Sequence, residues 1–302
     1  MGDVVYLCIM AEIMGIINLT EDSFYAASRV KAEEAVVRAG AMLEEGADML
    51  DLGACSTRPG SKAPSVEEEW RRLEPVLRKI ADGKVLPKAK KKADALGSTF
   101  PPAKKKAEAL PMISIDTFRS EIVRRTFDTI GPFLVNDISA GQLDPEMLRT
   151  VGRLGLPYIA MHMRGTPQTM QQLTDYENVT AEVKAYFEDF ARKADENGIR
   201  DWILDPGFGF AKTVEQNYEL LRHLDELTSP GRTVLVGVSR KSMIYKPLGI
   251  TPEEALAPTQ IVHFIALEKG ADILRVHDVA EAVRTNRLYS TIYTSSPGAA
   301  NL

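Results

Sequence analysis

Cysteine is scarce: Cys8 and Cys55 are the two in 302 residues, too few for a disulfide framework. No apolar run approaches the ~20 residues that a membrane-crossing helix needs. Met1 to Met10 lack a basic flank followed by an apolar stretch. The reading is therefore a cytoplasmic protein without membrane contact. Excess positive charge is missing too: the formal net charge is −5. That removes any global electrostatic case for nucleic acid as a partner. What remains is an ordinary globular composition, 44% hydrophobic and 26% charged, able to bury a large core.

Short β-rich runs alternate with amphipathic segments. Candidate strands are Ile13–Asn18, Met49–Gly53, Met112–Asp116, Phe133–Asp137, Tyr158–Met163, Trp202–Asp205, Val234–Ser239 and Ile273–His277. Most are apolar nearly throughout, as parallel strands buried on both faces must be. Helical patterns lie between them, over 30–45, 66–80, 119–130, 146–154, 178–196, 214–224, 252–268 and 279–288. The last but one opens on Thr251 as N-cap with Pro252 at the first helical position. Strict alternation over this length predicts an α/β fold, a (β/α)8 TIM barrel of eight parallel strands with outer helices, in one domain over 1–302. An open doubly wound sheet is the alternative.

One segment interrupts the rhythm. Residues 82–110 hold a near-repeat, AKKKADAL at 89–96 and AKKKAEAL at 103–110. Between 82 and 108, eight lysines against three acids give a charge of +5 and leave −10 on the rest of the chain. It reads as a duplicated Lys-rich insertion at the bottom of the barrel, solvated rather than RNA-binding. The tail, 293–302, reads as flexible.

Polar residues at the C-terminal ends of barrel strands converge on one mouth. Nearly every candidate strand ends in one. Asp116, Asn136 and Asp205 offer acceptors to a planar edge rich in N–H groups, and Lys241 offers a donor opposite. Arg275 can stack its guanidinium on a heteroaromatic face. Asn18, Arg58 and His277 form a second cluster suited to phosphate and its metal ion. The implied ligand is a flat nitrogen heterocycle beside a diphosphate.

The segments MGIINLTEDSF, DLGACSTRPGS, SIDTF, VNDISAG, MHMRGTPQTM, LDPGFGFAKT, VGVSRKSM and ILRVHDV resemble, in order, the motifs of the dihydropteroate synthases. The resemblance implies a transferase of folate biosynthesis. It would condense 6-hydroxymethyl-7,8-dihydropterin diphosphate with p-aminobenzoate, releasing diphosphate and giving 7,8-dihydropteroate. It implies catalytic roles for Asp116, Asp205, Lys241 and Arg275, with Asn136 and Met161 also on the pterin. Mg2+ as cofactor falls to Asn18, and the diphosphate to Arg58 and His277. The p-aminobenzoate pocket, where sulfonamides compete, falls on Phe24, Thr57, Pro59, Phe210 and Ser242. A homodimer is implied as well. Departures from the family pattern include Glu21, Ala26 and Ala27 in the first loop, Ala54-Cys55 before STRPG, Ala211 after GFGF, and Pro258, expected to kink a late helix. Two other readings are a catalytically silent pterin-binding barrel, supported by the altered first loop, and a methyltetrahydrofolate–corrinoid methyltransferase. The latter has no need of the STRPG loop or the SRK lysine.

Overall fold

The computed structural model describes residues 10–19, 28–55, 63–82, 112–227 and 232–294. The elements run β1 (Glu12–Asn18), α1 (Ser28–Glu45), β2 (Met49–Gly53), α2 (Val66–Ala81), β3 (Met112–Asp116), α3 (Ser120–Ile130), β4 (Leu134–Asp137), α4 (Met147–Leu154), β5 (Tyr158–Met161), α5 (Val179–Glu196), β6 (Trp202–Asp205), α6 (Val214–Arg222), β7 (Leu235–Val236), α7 (Ser242–Leu248), α8 (Leu256–Glu268), β8 (Ile273–Val276) and α9 (Val279–Thr294). The eight strands form one sheet in the order β6-β5-β4-β3-β2-β1-β8-β7. Every pairing is parallel. The two ends meet: Val234 bridges Leu204 in parallel, and the Leu204 amide donates to the Thr233 carbonyl at 3.0 Å. That contact makes the sheet a barrel and excludes the open alternative.

Helix starts obey their capping signals. Ser65 accepts from the Glu68 amide ahead of the acidic first turn of α2, and Asn178 accepts from the Ala181 amide ahead of α5. Thr213 and Gln216 form a reciprocal capping box at α6. Two expectations are corrected. The helix expected over 252–268 begins at Leu256. Thr251 and Glu254 do exchange side-chain-to-amide bonds, but they close a separate turn before the helix. Pro258 consequently falls in the first turn of α8, where its missing N–H breaks no helical bond, so the reason to expect a kink is gone. In addition, α7 is a helix that the sequence pattern did not indicate. The Lys-rich insertion, apart from Asp82 at its edge, and residues 295–302 lie outside the described residues.

The barrel interior rests on an apolar plug. Met14, Met49, Leu134, Ile159, Ile203, Leu235 and Ile273 form a buried cluster of their own, with Met112 packed against it. That is one residue from each strand. Side chains alternate faces along a strand, so the next inward layer lies two residues on. It consists of Ile16, Asp51, Ser114, Asn136, Met161, Asp205, Gly237 and Arg275. The interior changes from wholly apolar to mostly polar in one step toward the C-terminal ends, and this step makes the floor of the site.

Candidate active site at the barrel mouth

Asp51 is the centre of that floor and has no exposed surface. Its carboxylate accepts from Ser114 Oγ at 2.6 Å, Asn136 Nδ2 at 3.1 Å and Arg275 Nε at 2.7 Å. Arg275 Nη2 also lies 2.6 Å from Asp51 and 3.0 Å from Asp116 Oδ2. A buried carboxylate left alone would be costly, and here both oxygens meet donors, Oδ1 from Ser114 and Oδ2 from Asn136 and Arg275. Asp51 was not among the expected site residues, yet it orients two that were. Arg275 therefore spends the edge of its guanidinium on carboxylates, whereas the sequence pointed only to its face. The two uses are geometrically compatible, because stacking needs the face and hydrogen bonding the edge.

Asp116 ends β3 and is buried. Burial pushes its carboxyl up to about 7 against the pull of Arg275, with Asp51 adding to the rise. Gly53, the neighbour of Asp116 in the sheet, keeps the space in front of it open. A Cβ there would stand 3.6 Å from Asp116 Oδ2 and 3.8 Å from Asn18 Oδ1. Asn18, the last residue of β1, is exposed at the mouth.

On the opposite wall, Asp205 ends β6 and accepts the Gly207 amide at 2.8 Å. Burial holds it above the ordinary carboxylate range, with Lys241 and the Gly207 amide opposing. The turn after Asp205 is tightly specified. Gly207 has φ +68, and a Cβ on it would meet the His162 carbonyl at 2.0 Å, so only glycine fits. Lys212 is buried behind this turn and donates to the carbonyls of Gly207 at 3.0 Å and Phe210 at 3.1 Å. Its third contact is His162 Nδ1 at 3.0 Å. Burial lowers His162 to about 2, Lys212 adding to the fall, so the imidazole is neutral and its Nδ1 accepts. The turn so fixed presents the Phe208 carbonyl, which Lys241 Nζ reaches at 2.6 Å, and the Phe210 ring, 4.9 Å from the same ammonium. Burial lowers Lys241 to about 8, opposed by Asp205. Met161 packs with Ile138, Met163, Met170 and Ala211, and Phe210 lies against that cluster.

Past the ends of β7 and β8, Ser239 Oγ receives the His277 amide at 3.3 Å and lies 3.0 Å from His277 Nδ1. Burial lowers His277 to about 4, the nearby Arg275 charge adding to this. Ser242 opens α7, directly after Lys241. The barrel thus brings Asp116, Asn136, Met161, Asp205, Phe210, Lys241, Arg275 and His277 around one opening, with Asn18 and Ser242 on its rim. Phe24, Thr57, Arg58 and Pro59 lie outside the described residues.

Residues 14–87 and 103–277 match the family described as pterin binding enzyme. Dihydropteroate synthase of Escherichia coli (strain K12) is 37% identical over 279 residues, 91% of this chain and 89% of that protein. The Synechocystis enzyme is 39% identical over 271 residues, 88% of this chain and 85% of that one. The chain belongs to the dihydropteroate synthase family. Among solved structures, Xanthomonas albilineans dihydropteroate synthase with 4-aminobenzoic acid superposes with a TM-score of 0.80 at 34% identity, covering 96% of this chain and 95% of that one. The Yersinia pestis enzyme with a sulfonamide drug gives 0.81 at 31%, covering 95% of each. As a member of this family, the chain is a pterin-binding transferase of folate synthesis.

Two departures from the dihydropteroate synthase pattern acquire a physical meaning. Ala211, where glycine is frequent, adopts φ +48, a left-handed conformation that costs an L-residue roughly 1–2 kcal/mol. The methyl group is fully buried in the Met161 cluster, which offsets part of that. Cys55 is buried, and burial raises its thiol to about 12, so it is a small packed residue and not a reactive one. Glu21, Ala26 and Ala27 lie outside the described residues.

Proposed function

We propose that this dihydropteroate synthase binds the pterin of its diphosphate substrate on the polar inward layer of the barrel, and the diphosphate toward Asn18, Arg58 and His277. The observation that carries this is the convergence of Asp116, Asn136, Asp205, Lys241 and Arg275 on one floor. Acceptors and donors are brought together there, with Met161 and Phe210 packed alongside in one apolar cluster. The carboxylates of Asp116 and Asp205 accept from the amino and ring N–H groups of the pterin. Lys241 leaves the Phe208 carbonyl to donate to the ring oxygen or nitrogen. Arg275, its edge held by Asp51 and Asp116, lays its face on the ring. This polar enclosure orients the methylene carbon toward the second substrate and delocalises charge that develops as its bond to diphosphate breaks.

The C–O bond to diphosphate breaks, the amine of p-aminobenzoate forms the C–N bond, and the amine gives up one proton. Phe24, Thr57, Pro59, Phe210 and Ser242 hold p-aminobenzoate, with Ser242 at its carboxylate, and sulfonamides compete there. His277 and Arg58 receive the diphosphate. Mg2+ fits at Asn18: its Oδ1 is a hard oxygen donor on the open rim beside Gly53 and Asp116, and amide oxygen, diphosphate oxygens and water form a ligand set that Mg2+ favours. The ion supplies neutralisation of the leaving diphosphate.

The chain is read as a single domain over 1–302 with the 82–110 insertion as an appendage and 293–302 as a tail, although α9 runs through Thr294. No described helix is long and apolar enough to cross a membrane. A cytoplasmic homodimer is the proposed state. Its interface is the apolar face of α7, α8 and α9, where Leu248, Ile261, Ile265, Leu288 and Ile292 are exposed. The test of the proposed pockets is competition. A sulfonamide should raise the KM for p-aminobenzoate without changing the KM for dihydropterin diphosphate. Competition against the pterin substrate instead would overturn the assignment.

A further inference from the structure

Arg240 is one of three non-glycine residues at positive φ among the described residues, with φ +53. Its side chain is committed on every side. Nε and Nη2 form a bidentate pair with Asp278 at 2.8 and 3.0 Å. Nη1 donates to the carbonyls of Pro252 at 2.8 Å and Glu253 at 2.7 Å, and its amide donates to Thr259 Oγ1 at 3.2 Å. Strain that persists under so many constraints is a device for aiming the next residue in the chain. That residue is Lys241, whose amide closes the turn on the Val238 carbonyl at 3.1 Å.

The register shows which groups are aligned. Backbone pairing of β7 with β8 stops at Val236 and Leu274, an offset of 38 residues. Ser239 then bonds His277, and Arg240 pairs with Asp278, each at the same offset of 38. Side chains thus continue the parallel register beyond the last ladder bond, out to the level of the site. Arg38 of α1 donates to the His277 carbonyl at 3.2 Å from the other side.

We propose that the Arg240–Asp278 pair is a positioning strut that fixes the separation of Lys241 from His277, and so the distance between the pterin end and the diphosphate end of the substrate. This rests on the proposed roles of Lys241 at the pterin and His277 at the diphosphate. Lysine cannot reproduce the guanidinium's planar fork, so Arg240→Lys breaks the strut while keeping the charge. Asp278→Asn weakens it while keeping shape and the position preceding α9.

The experiment uses the purified full chain and compares these variants, His277→Ala and the Arg240→Lys/His277→Ala double variant with the parent. Readouts are thermal unfolding, calorimetric binding of a pterin lacking the diphosphate, and kcat/KM with dihydropterin diphosphate, p-aminobenzoate and Mg2+. Folded Arg240→Lys should lose about tenfold or more in kcat/KM, while its Kd for the diphosphate-free pterin changes less than about threefold. The double variant should be no more than about threefold worse than the worse single, because without His277 there is no Lys241-to-His277 separation for the strut to fix. Pterin binding that weakens in step with kcat/KM, losses that multiply in the double variant, or unchanged kinetics would each overturn the proposal. If Arg240→Lys does not fold, Asp278→Asn carries the same comparison. A folded parent that makes no dihydropteroate would defeat the underlying reading instead, which separates the two failures.

Discussion

Replacing Asp51 by asparagine probes the floor of the site without touching a residue proposed to meet substrate. In the parent, Asp51 receives Ser114, Asn136 and two nitrogens of Arg275 with no solvent exposure. Removing one partner of a buried ion pair costs roughly 3–5 kcal/mol, because the other charge stays behind. Asparagine keeps one carbonyl acceptor and Asp116 still holds Arg275 Nη2, so a loss of about 3 kcal/mol is expected. At roughly 2–4 °C per kcal/mol for a chain of this class, the melting temperature should fall by roughly 6–12 °C. Activity should fall further than stability explains, since Arg275 and Asn136 both lose their anchor. A displacement near 1 Å in a site of this kind costs about a hundredfold in rate. The acid limb of the kcat/KM profile should also move to lower pH, because the Asp51 charge is one of the groups that raise Asp116. Circular dichroism melts and a steady-state pH series measure all three. A variant melting within about 2 °C of the parent, with kcat/KM within about threefold, would refute the claim that Asp51 organises the floor.

The kcat/KM profile of the parent should be bell-shaped with a narrow top. Activity is lost below about 7 as the Asp116 carboxyl takes up a proton and stops accepting, and above about 8 as Lys241 loses its ammonium proton; a flat profile from pH 5 to 9 would contradict these assignments. Gly207→Ala should destabilise by roughly 2–5 kcal/mol, summing the left-handed penalty and the overlap with the His162 carbonyl, readable as a drop in urea midpoint; a change under about 0.5 kcal/mol would show that the turn is not constrained as described. Deleting 89–110 should leave kcat/KM within about tenfold of the parent, and a larger loss with folding intact would mean the insertion contributes to catalysis.

The strands and the placement of most candidate site residues could be read from sequence for one reason. Strands buried on both faces are apolar, so a polar residue near a C-terminal end, such as Asp116, Asn136 or Asp205, stands out against its strand. Asp51 escaped because attention to strand ends passes over a carboxylate in mid-strand. Its parity with Met49 already placed it inward, and an inward charge between apolar neighbours was the available signal. Lys212 escaped for a different reason: a lysine just before a helix N-cap looks solvated, and its partners are backbone carbonyls and a neutral histidine, none of which sequence spacing can indicate. The edge-on pairing of Arg275 depends on Asp51 and was hidden with it. Helix α7 spans Ser242–Leu248 with Pro247 inside, too short to show a periodic face. Conversely, Thr251 and Glu254 gave a true capping signal attached to the wrong element, since propensity identifies a turn start better than how far the helix extends.

The measurement that tests the account most directly is product formation by the purified parent, Asp205→Ala and Lys241→Ala proteins. Each is incubated with dihydropterin diphosphate, labelled p-aminobenzoate and Mg2+, after melts have established that it is folded. The account predicts dihydropteroate from the parent and its loss in both variants, because Asp205 and Lys241 are each proposed to hold the pterin. No product from the folded parent, or undiminished product from both folded variants, would contradict it.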